Sequence, residues 1–269
     1  MKIVNSATEL AEGCAFVPTM GALHAGHASL FKLARGKTDF VVASIFINPL
    51  QFENSEDLAK YPRTPERDIE IAADSGVTHL WLPKYEEIYP EGFPRLSAGP
   101  LGDVYEGANR AGHFDGVVTV VARLFELTRP KMAIFGEKDF QQLILIKKLV
   151  KDLNLNIEIL SAPTIRESDG LAMSSRNVRL DENMREQAQV LFRALNAAGQ
   201  AKDLGAAQNT LASVATSQAE FTLDYAEIID EHDFSKAVDA TQNKRAIIAG
   251  WLNGVRLIDN MQMNFGAGR

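Results

Sequence analysis

The chain has 269 residues, 46% apolar and 23% charged, an ordinary globular composition that excludes disordered, fibrous and disulfide-scaffold classes. A single cysteine, Cys14, rules out an intramolecular disulfide, and Met1 to Ser6 lack the apolar core of a signal peptide, so a cytoplasmic location is expected. No window approaches eighteen consecutive apolar residues, which speaks against a membrane span, and 28 Lys and Arg against 35 Asp and Glu leave a net charge of −7 that disfavours extended nucleic-acid binding.

In chain order, Ala15 to Pro18 is a short apolar run, predicted as a strand, that enters a loop at Thr19-Met20-Gly21. A helical pattern follows from about Gly26 to Arg35. Phe40 to Ile47 is β-branched and aromatic, as expected of a strand covered on both faces, and Asn48-Pro49 stops it. Thr64-Pro65-Glu66 offers an N-cap, a proline at the first helical position and an acid at the positive dipole end of a helix that Gly76 can close. His79 to Leu82 is the next strand. After a Pro- and Gly-rich stretch from Pro83 to Gly102, the pattern predicts a helix over 116–127, a strand over 132–135, a helix over 140–151 and a strand over 157–160. Strands alternating with helices predict a parallel α/β sheet. From Asp181 the texture changes to one helix reaching about Ala198 and another over 206–217. Strands are then expected over 223–229, 245–252 and 255–258, which make a smaller α+β domain. The turn-like Glu167-Ser168-Asp169-Gly170 puts the boundary near 166–175.

Four strings can carry chemistry. Pro18 to His27 sits where the first strand hands over to the first helix, the usual ligand crevice of open α/β sheets. Backbone N–H groups bared there suit phosphate, and His24 and His27, three apart, can reach the same phosphates. The competing reading has both imidazoles merely satisfying the helix start. A zinc site is the weaker possibility, because His-x-x-His in a loop lacks the helical i, i+4 geometry, and the P-loop and dinucleotide fingerprints are both absent. Phe135 to Gln142 repeats the strand-to-helix setting. Lys138 near a positive dipole asks for an anion, while Asp139 with Gln142 spells a capping box variant. Met173-Ser174-Ser175-Arg176 supplies hydroxyls and a guanidinium at the expected junction, and Gln51 in Asn48-Pro49-Leu50-Gln51-Phe52 can pair with a hydroxyl or carboxylate. His79 and His232 read as structural.

Taken jointly, these strings resemble the pantoate–β-alanine ligases, the pantothenate synthetases of the nucleotidyltransferase-like group. The similarity runs nearly the whole chain, through Val17 to His24, Ser44 to Pro49, Tyr61-Pro62-Arg63, Gly112-His113-Phe114, Phe135 to Gln142, Asp169 to Asn177 and Arg256 to Asn260. The resemblance implies a Rossmann-like domain over 1–168 that binds nucleotide and pantoate, and a smaller α+β lid domain over 169–269. It implies a two-step reaction in which ATP, with magnesium, converts pantoate to pantoyl adenylate and pyrophosphate, after which β-alanine displaces AMP. ATP binding falls by resemblance to Met20, Gly21, Ala22, Leu23, His24, Ala25, Gly26 and His27, to Gly136, Glu137, Lys138 and Asp139, to the main chain of Ile165, and to Met173, Ser174, Ser175 and Arg176. His27, His24, Lys138, Ser174, Ser175 and Arg176 take the catalytic positions, Gln51 and Gln142 the pantoate glutamines, with Gln51 also near β-alanine. No protein-held metal site is implied. A cytoplasmic homodimer with small-molecule partners, and neither nucleic acid nor membrane, is expected.

Two positions depart from the family loop: Ala25 stands where glutamate is usual and Leu50 where threonine is usual. Neither is a residue assigned to chemistry. Two alternatives stay open on sequence grounds, another nucleotidyltransferase of the same fold and a non-catalytic nucleotide sensor, although a sensor has no need of Gln51 and Gln142. A tRNA synthetase is disfavoured, since no basic appendage of RNA-binding size is present.

Overall fold

The computed structural model describes residues 1–53 and 55–264. Six parallel strands carry the first unit, Met1–Glu137 with Gln141–Ile165: β1 (Lys2–Val4), β2 (Ala15–Thr19), β3 (Val41–Ile45), β4 (His79–Trp81), β5 (Met132–Gly136) and β6 (Glu158–Ala162). Their spatial order is β1-β4-β3-β2-β5-β6. The chain therefore winds to one side from β2 through β3 and β4, and to the other through β5 and β6. The crevice outside the C-terminal ends of β2 and β5 is the switch point at which such sheets hold ligands. The helices of this unit are α1 (Ala25–Arg35), α2 (Ser55–Lys60), α3 (Pro65–Asp74), α4 (Tyr85–Ile88), α5 (Glu106–Asn109), α6 (His113–Thr128) and α7 (Phe140–Asp152).

Alternation along β2 explains why both faces are apolar. Ala15 and Val17 pack with Phe31 and Ala34 of α1 on one face, while Phe16 meets Phe125 of α6 edge-to-face at 6.4 Å on the other. β1 is absent from the sequence reading because it is three residues long with two of them exposed, too short to show a period. α6 starts at His113, three residues earlier than its apolar pattern, since Gly116 lies inside the helix rather than before it.

The second unit comprises Lys138–Phe140 and the chain from Arg166. Its antiparallel sheet has the order β7-β8-β9, formed by β7 (Phe221–Asp230), β8 (Lys244–Leu252) and β9 (Val255–Met263), packed with α8 (Glu182–Ala188), α9 (Val190–Gly199) and α10 (Leu204–Ala215). The one long helix expected from Asp181 is two helices. At Gln189 ψ is −12° and the N–H reverts to the carbonyl of Glu186, a tightened turn that re-aims α9 so that Val190, Leu191, Ala194, Leu195 and Ala198 are buried together. β9 runs on past Ile258, because Asp259 and Asn260, which break the apolar pattern, are buried with polar partners of their own. Among the described residues, no helix is long and apolar enough to cross a membrane.

Candidate active site

The loop between β2 and α1 is shaped by Asp68 of α3. Its buried carboxylate accepts the main-chain N–H of Ala22 at 2.9 Å through Oδ2 and that of Leu23 at 2.7 Å through Oδ1, and Thr64 Oγ1 donates to Oδ1 at 2.9 Å. Thr64 does not cap α3 through its side chain, as its sequence context predicts, because its hydroxyl is turned to this carboxylate. Gly21 takes φ +80°, and a Cβ there would stand 3.0 Å from Asp68 Oδ2, so backbone and carboxylate approach only because the residue is glycine. Ala22 follows at φ +50°. Of the N–H groups that this loop is expected to bare to phosphate, those of Ala22 and Leu23 are instead bonded to a carboxylate.

Two imidazoles follow at once. His24 is the N-cap of α1 and His27 its third residue, and they form a reciprocal box: His24 Nδ1 accepts the Gly26 N–H at 3.1 Å, and His27 Nδ1 accepts the His24 N–H at 3.3 Å. A nitrogen that accepts from a backbone N–H carries no proton, so in the neutral ring of each the proton is on Nε2. The rings lie 4.2 Å apart between centroids, tilted by 48°. The helix-start role and a donor role therefore use different nitrogens of the same ring. Ala25, the position of the missing glutamate, is exposed, and Gly26 and Met20 are half-buried.

At the end of β3, Gln51 is buried in a short 3-10 turn, Pro49–Gln51, that Asn48 caps. Asn48 Nδ2 donates to Gln51 Oε1 at 3.0 Å and to the Gly116 carbonyl at 3.1 Å. Leu50, the second departure, gives its N–H to Asn48 Oδ1 at 3.2 Å, a main-chain bond that survives the loss of a hydroxyl.

At the end of β5, Gly136 closes the strand, and Glu137–Asp139 make one 3-10 turn that runs into α7. Lys138 Nζ lies 3.9 Å from Asp139 Oδ1, and the Lys138 carbonyl accepts Asn260 Nδ2 at 2.8 Å. Asn260 is itself bound to Arg245 at 2.6 Å. Among the described residues the Gln142 amide makes no hydrogen bond, so the capping box expected with Asp139 is not formed; the preceding 3-10 turn takes its place. Gln142 is half-buried in the first turn of α7.

Ile165 ends the first unit, half-buried beyond β6, and the remaining predicted residues belong to the second. Ser174 caps a 3-10 turn over Ser175–Arg179 by accepting the Arg176 N–H at 3.2 Å, and Met173 to Arg176 are half-buried. Asn177 ties this segment to Glu167 at 3.0 Å. Arg185 of α8 pairs with Glu167 and, at 2.9 Å, with Asp169, and those carboxylates raise the pKa of its guanidinium. Arg166 makes a two-pronged bond to the buried Asp259 at 2.6 and 3.0 Å.

The predicted residues of the first unit thus leave one edge of the sheet, following β2, β3, β5 and β6, whereas Lys138, Asp139 and Met173 to Arg176 pack with the second unit. Sequence reasoning missed Asp68, Asn48, Asp259 and the supporting role of Asn260. Among the described residues, no group of three or more His, Cys, Asp and Glu is arranged to hold a metal ion.

Comparison with known proteins extends this geometry. The family model described as pantoate-beta-alanine ligase matches residues 1–262. A pantothenate synthetase of Acidothermus cellulolyticus is 49% identical over 257 residues, covering 93% of this chain and 85% of the relative. The crystal structure of pantothenate synthetase from Thermus thermophilus superposes with a TM-score of 0.93 at 45% identity, covering 97% of this chain and 99% of that one. A pantoate-beta-alanine ligase from Francisella tularensis, described in complex with beta-gamma ATP and beta-alanine, gives a TM-score of 0.80 at 36% identity with 97% of each chain covered. With a whole-chain model match, near-half identity and the six-stranded sheet in common, the chain belongs to the pantoate–β-alanine ligase family.

Proposed function

We infer that this protein condenses pantoate with β-alanine at the expense of ATP, forming pantothenate and releasing AMP and pyrophosphate. The observation that carries the reading is the pair His24 and His27, both holding their proton on Nε2 at the switch point of a nucleotide-binding type of sheet. The family match over residues 1–262 and the nucleotide and β-alanine complex of the Francisella relative support it.

In the first step a pantoate carboxylate oxygen attacks the α-phosphorus of ATP, the bond to the bridging oxygen breaks, and pyrophosphate leaves with its electron pair. An anion approaches an anion, so the barrier falls only if fixed donors offset the repulsion and the charge growing on the leaving group. The proposed donors are His24 and His27 through Nε2–H, Lys138, and Ser174, Ser175 and Arg176. Met20 to His27, Gly136 to Asp139, Ile165 and Met173 are proposed to line the nucleotide. In the second step the free amine of β-alanine attacks the acyl carbon, AMP departs, and the nitrogen loses a proton to solvent. No covalent enzyme intermediate is required, because the adenylate is already reactive and orientation suffices.

Gln51 and Gln142 are proposed to hold pantoate, with Gln51 also near β-alanine. Supporting this, the Gln142 amide has no hydrogen-bond partner among the described residues, and Gln51 is buried. Magnesium enters, in this proposal, as part of the substrate MgATP, a hard cation held chiefly by phosphate oxygens. Residues 169–269 are proposed to act as a lid, and the protein to work as a cytoplasmic homodimer; the family resemblance supports these three points. The test is direct: incubation with pantoate, β-alanine and MgATP should yield pantothenate and AMP in equal amounts by mass spectrometry. ATP consumption with ADP as product would overturn the reading.

A further inference from the structure

Behind Gln51 runs a file of buried and half-buried polar side chains that the proposed reaction does not use. Gln51's main-chain carbonyl accepts His113 Nδ1 at 2.8 Å. A carbonyl only accepts, so Nδ1 carries the proton and Nε2 is the acceptor, the reverse of His24 and His27. Nε2 is in turn met by Arg110 Nη1 at 3.0 Å, and Arg110 lies 3.9 Å from the carboxylate of Glu106. The Glu106 N–H donates to Gln141 Oε1 at 3.2 Å, while Gln141 Nε2 holds the carbonyls of Leu101 and Val104, each at 2.8 Å. Gln141 is the neighbour of Gln142. The file therefore starts at one proposed pantoate glutamine and ends at the residue that precedes the other.

The Gln51 amide is oriented as strictly as its backbone. Asn48 Oδ1 accepts the Leu50 N–H at 3.2 Å and the Tyr89 hydroxyl at 2.8 Å, which fixes Asn48 Nδ2 as the atom facing Gln51. Gln51 must answer with its oxygen, leaving its amide nitrogen as the donor for a ligand. α6 also presses directly on this turn: a Cβ on Gly116 would stand 2.3 Å from the Leu50 carbonyl oxygen, so only glycine lets helix and turn meet. Glu106, His113 and Gln141 are all buried. Apolar side chains would fill this space with less desolvation cost; what hydrogen-bonded groups add is direction.

We propose that Glu106, Arg110 and His113 are positioning residues for pantoate, acting by fixing the backbone and the amide of Gln51. The proposal rests on the reading of Gln51 as a pantoate ligand. A displacement of about an ångström in a substrate-positioning group can cost on the order of a hundredfold in rate, and the groups that orient metal ligands, the best-measured case of such support, are worth about ten- to a hundredfold.

The experiment measures KM for pantoate, KM for ATP, kcat and Tm on the full chain carrying Gln51→Ala, His113→Gln, His113→Asn or Arg110→Met. His113→Gln puts its amide where Nε2 was and loses the donor to Gln51, and pantoate KM should rise about tenfold with ATP KM unchanged. His113→Asn puts an amide nitrogen where Nδ1 was and should restore pantoate KM to within about threefold of the parent, even if its Tm is the lower of the two. Arg110→Met, which removes both the hold on His113 Nε2 and the long Arg110 Nη2 bond to the Gln51 carbonyl at 3.5 Å, guards against a His113 variant that does not fold and should show the same selective rise. Equal increases in pantoate and ATP KM, or no rescue by His113→Asn, would overturn the proposal and leave a structural role. A Gln51→Ala variant with unchanged pantoate KM would instead overturn the reading beneath it.

Discussion

Asp68 and Leu23 are joined by a 2.7 Å bond from the Leu23 N–H to the buried carboxylate, across 45 residues of chain. With the companion bond to Ala22, it occupies two main-chain donors of the kind that a glycine-rich phosphate cradle offers to its ligand, which is why the proposed donors here are the imidazoles of His24 and His27.

Asp68→Ala strands two N–H groups and frees a loop whose Gly21 and Ala22 occupy left-handed backbone. Leaving buried donors unpaired costs about 1–3 kcal/mol each. The variant should lose several degrees in Tm and show a raised ATP KM, with pantoate KM less affected. Thermal denaturation and initial-rate kinetics check this, and an ATP KM equal to the parent's would show that the clamp serves folding alone.

The two nitrogens of His27 separate its helix-start role from the proposed chemical one. His27→Asn keeps an acceptor where Nδ1 was, for the His24 N–H, but has no donor where Nε2 was. It should fold with near-parent stability while adenylate formation drops by about two orders of magnitude. His27→Ala should lose the same activity plus about 1 kcal/mol of helix-start stability. Full turnover in the asparagine variant would remove His27 from the chemistry.

Gln142→Ala should raise pantoate KM with no change in Tm, because its amide makes no hydrogen bond among the described residues. A Tm loss with unchanged pantoate KM would return Gln142 to a purely local helix role.

What could be read in the sequence was what local pattern encodes. The apolar runs of β2, β3 and β5, the periodicity of α1 and α7, and the strand-to-helix setting of His24, His27 and Gln51 all lie within a dozen residues of their own signal. The supports of those residues were not legible, since Asp68 meets the loop across 45 residues and His113 meets Gln51 across 62, and the Arg166–Asp259 pair of the second unit, 93 residues apart, was hidden for the same reason. A hydrophobic period says which face is buried, not which distant polar group will pair there. The same limit hid the end of β9, where Asp259 and Asn260 look like a strand terminus until their partners are known. The capping box at Asp139 failed for a local reason, the 3-10 turn over Glu137–Asp139.

Cys14 is fully buried, and burial pushes its thiol up to about 12. The thiolate is the reactive species, so the native protein should resist alkylation at about pH 8 and react only as it unfolds. Mass spectrometry along a denaturant series checks this: modification should track the unfolding transition, and rapid labelling of native protein would contradict the burial.

The central claim, that pantoate is activated as a free-standing adenylate before the amine is used, is tested most directly by exchange of labelled pyrophosphate into ATP without β-alanine. The account predicts exchange that requires pantoate and magnesium, is nearly abolished in His27→Asn, and is restored in Gln142→Ala by raising pantoate. A nucleotide sensor would give no exchange, and another nucleotidyltransferase would respond to a different acceptor. Exchange that appears only after β-alanine is added would contradict the two-step reaction, even with pantothenate as the product.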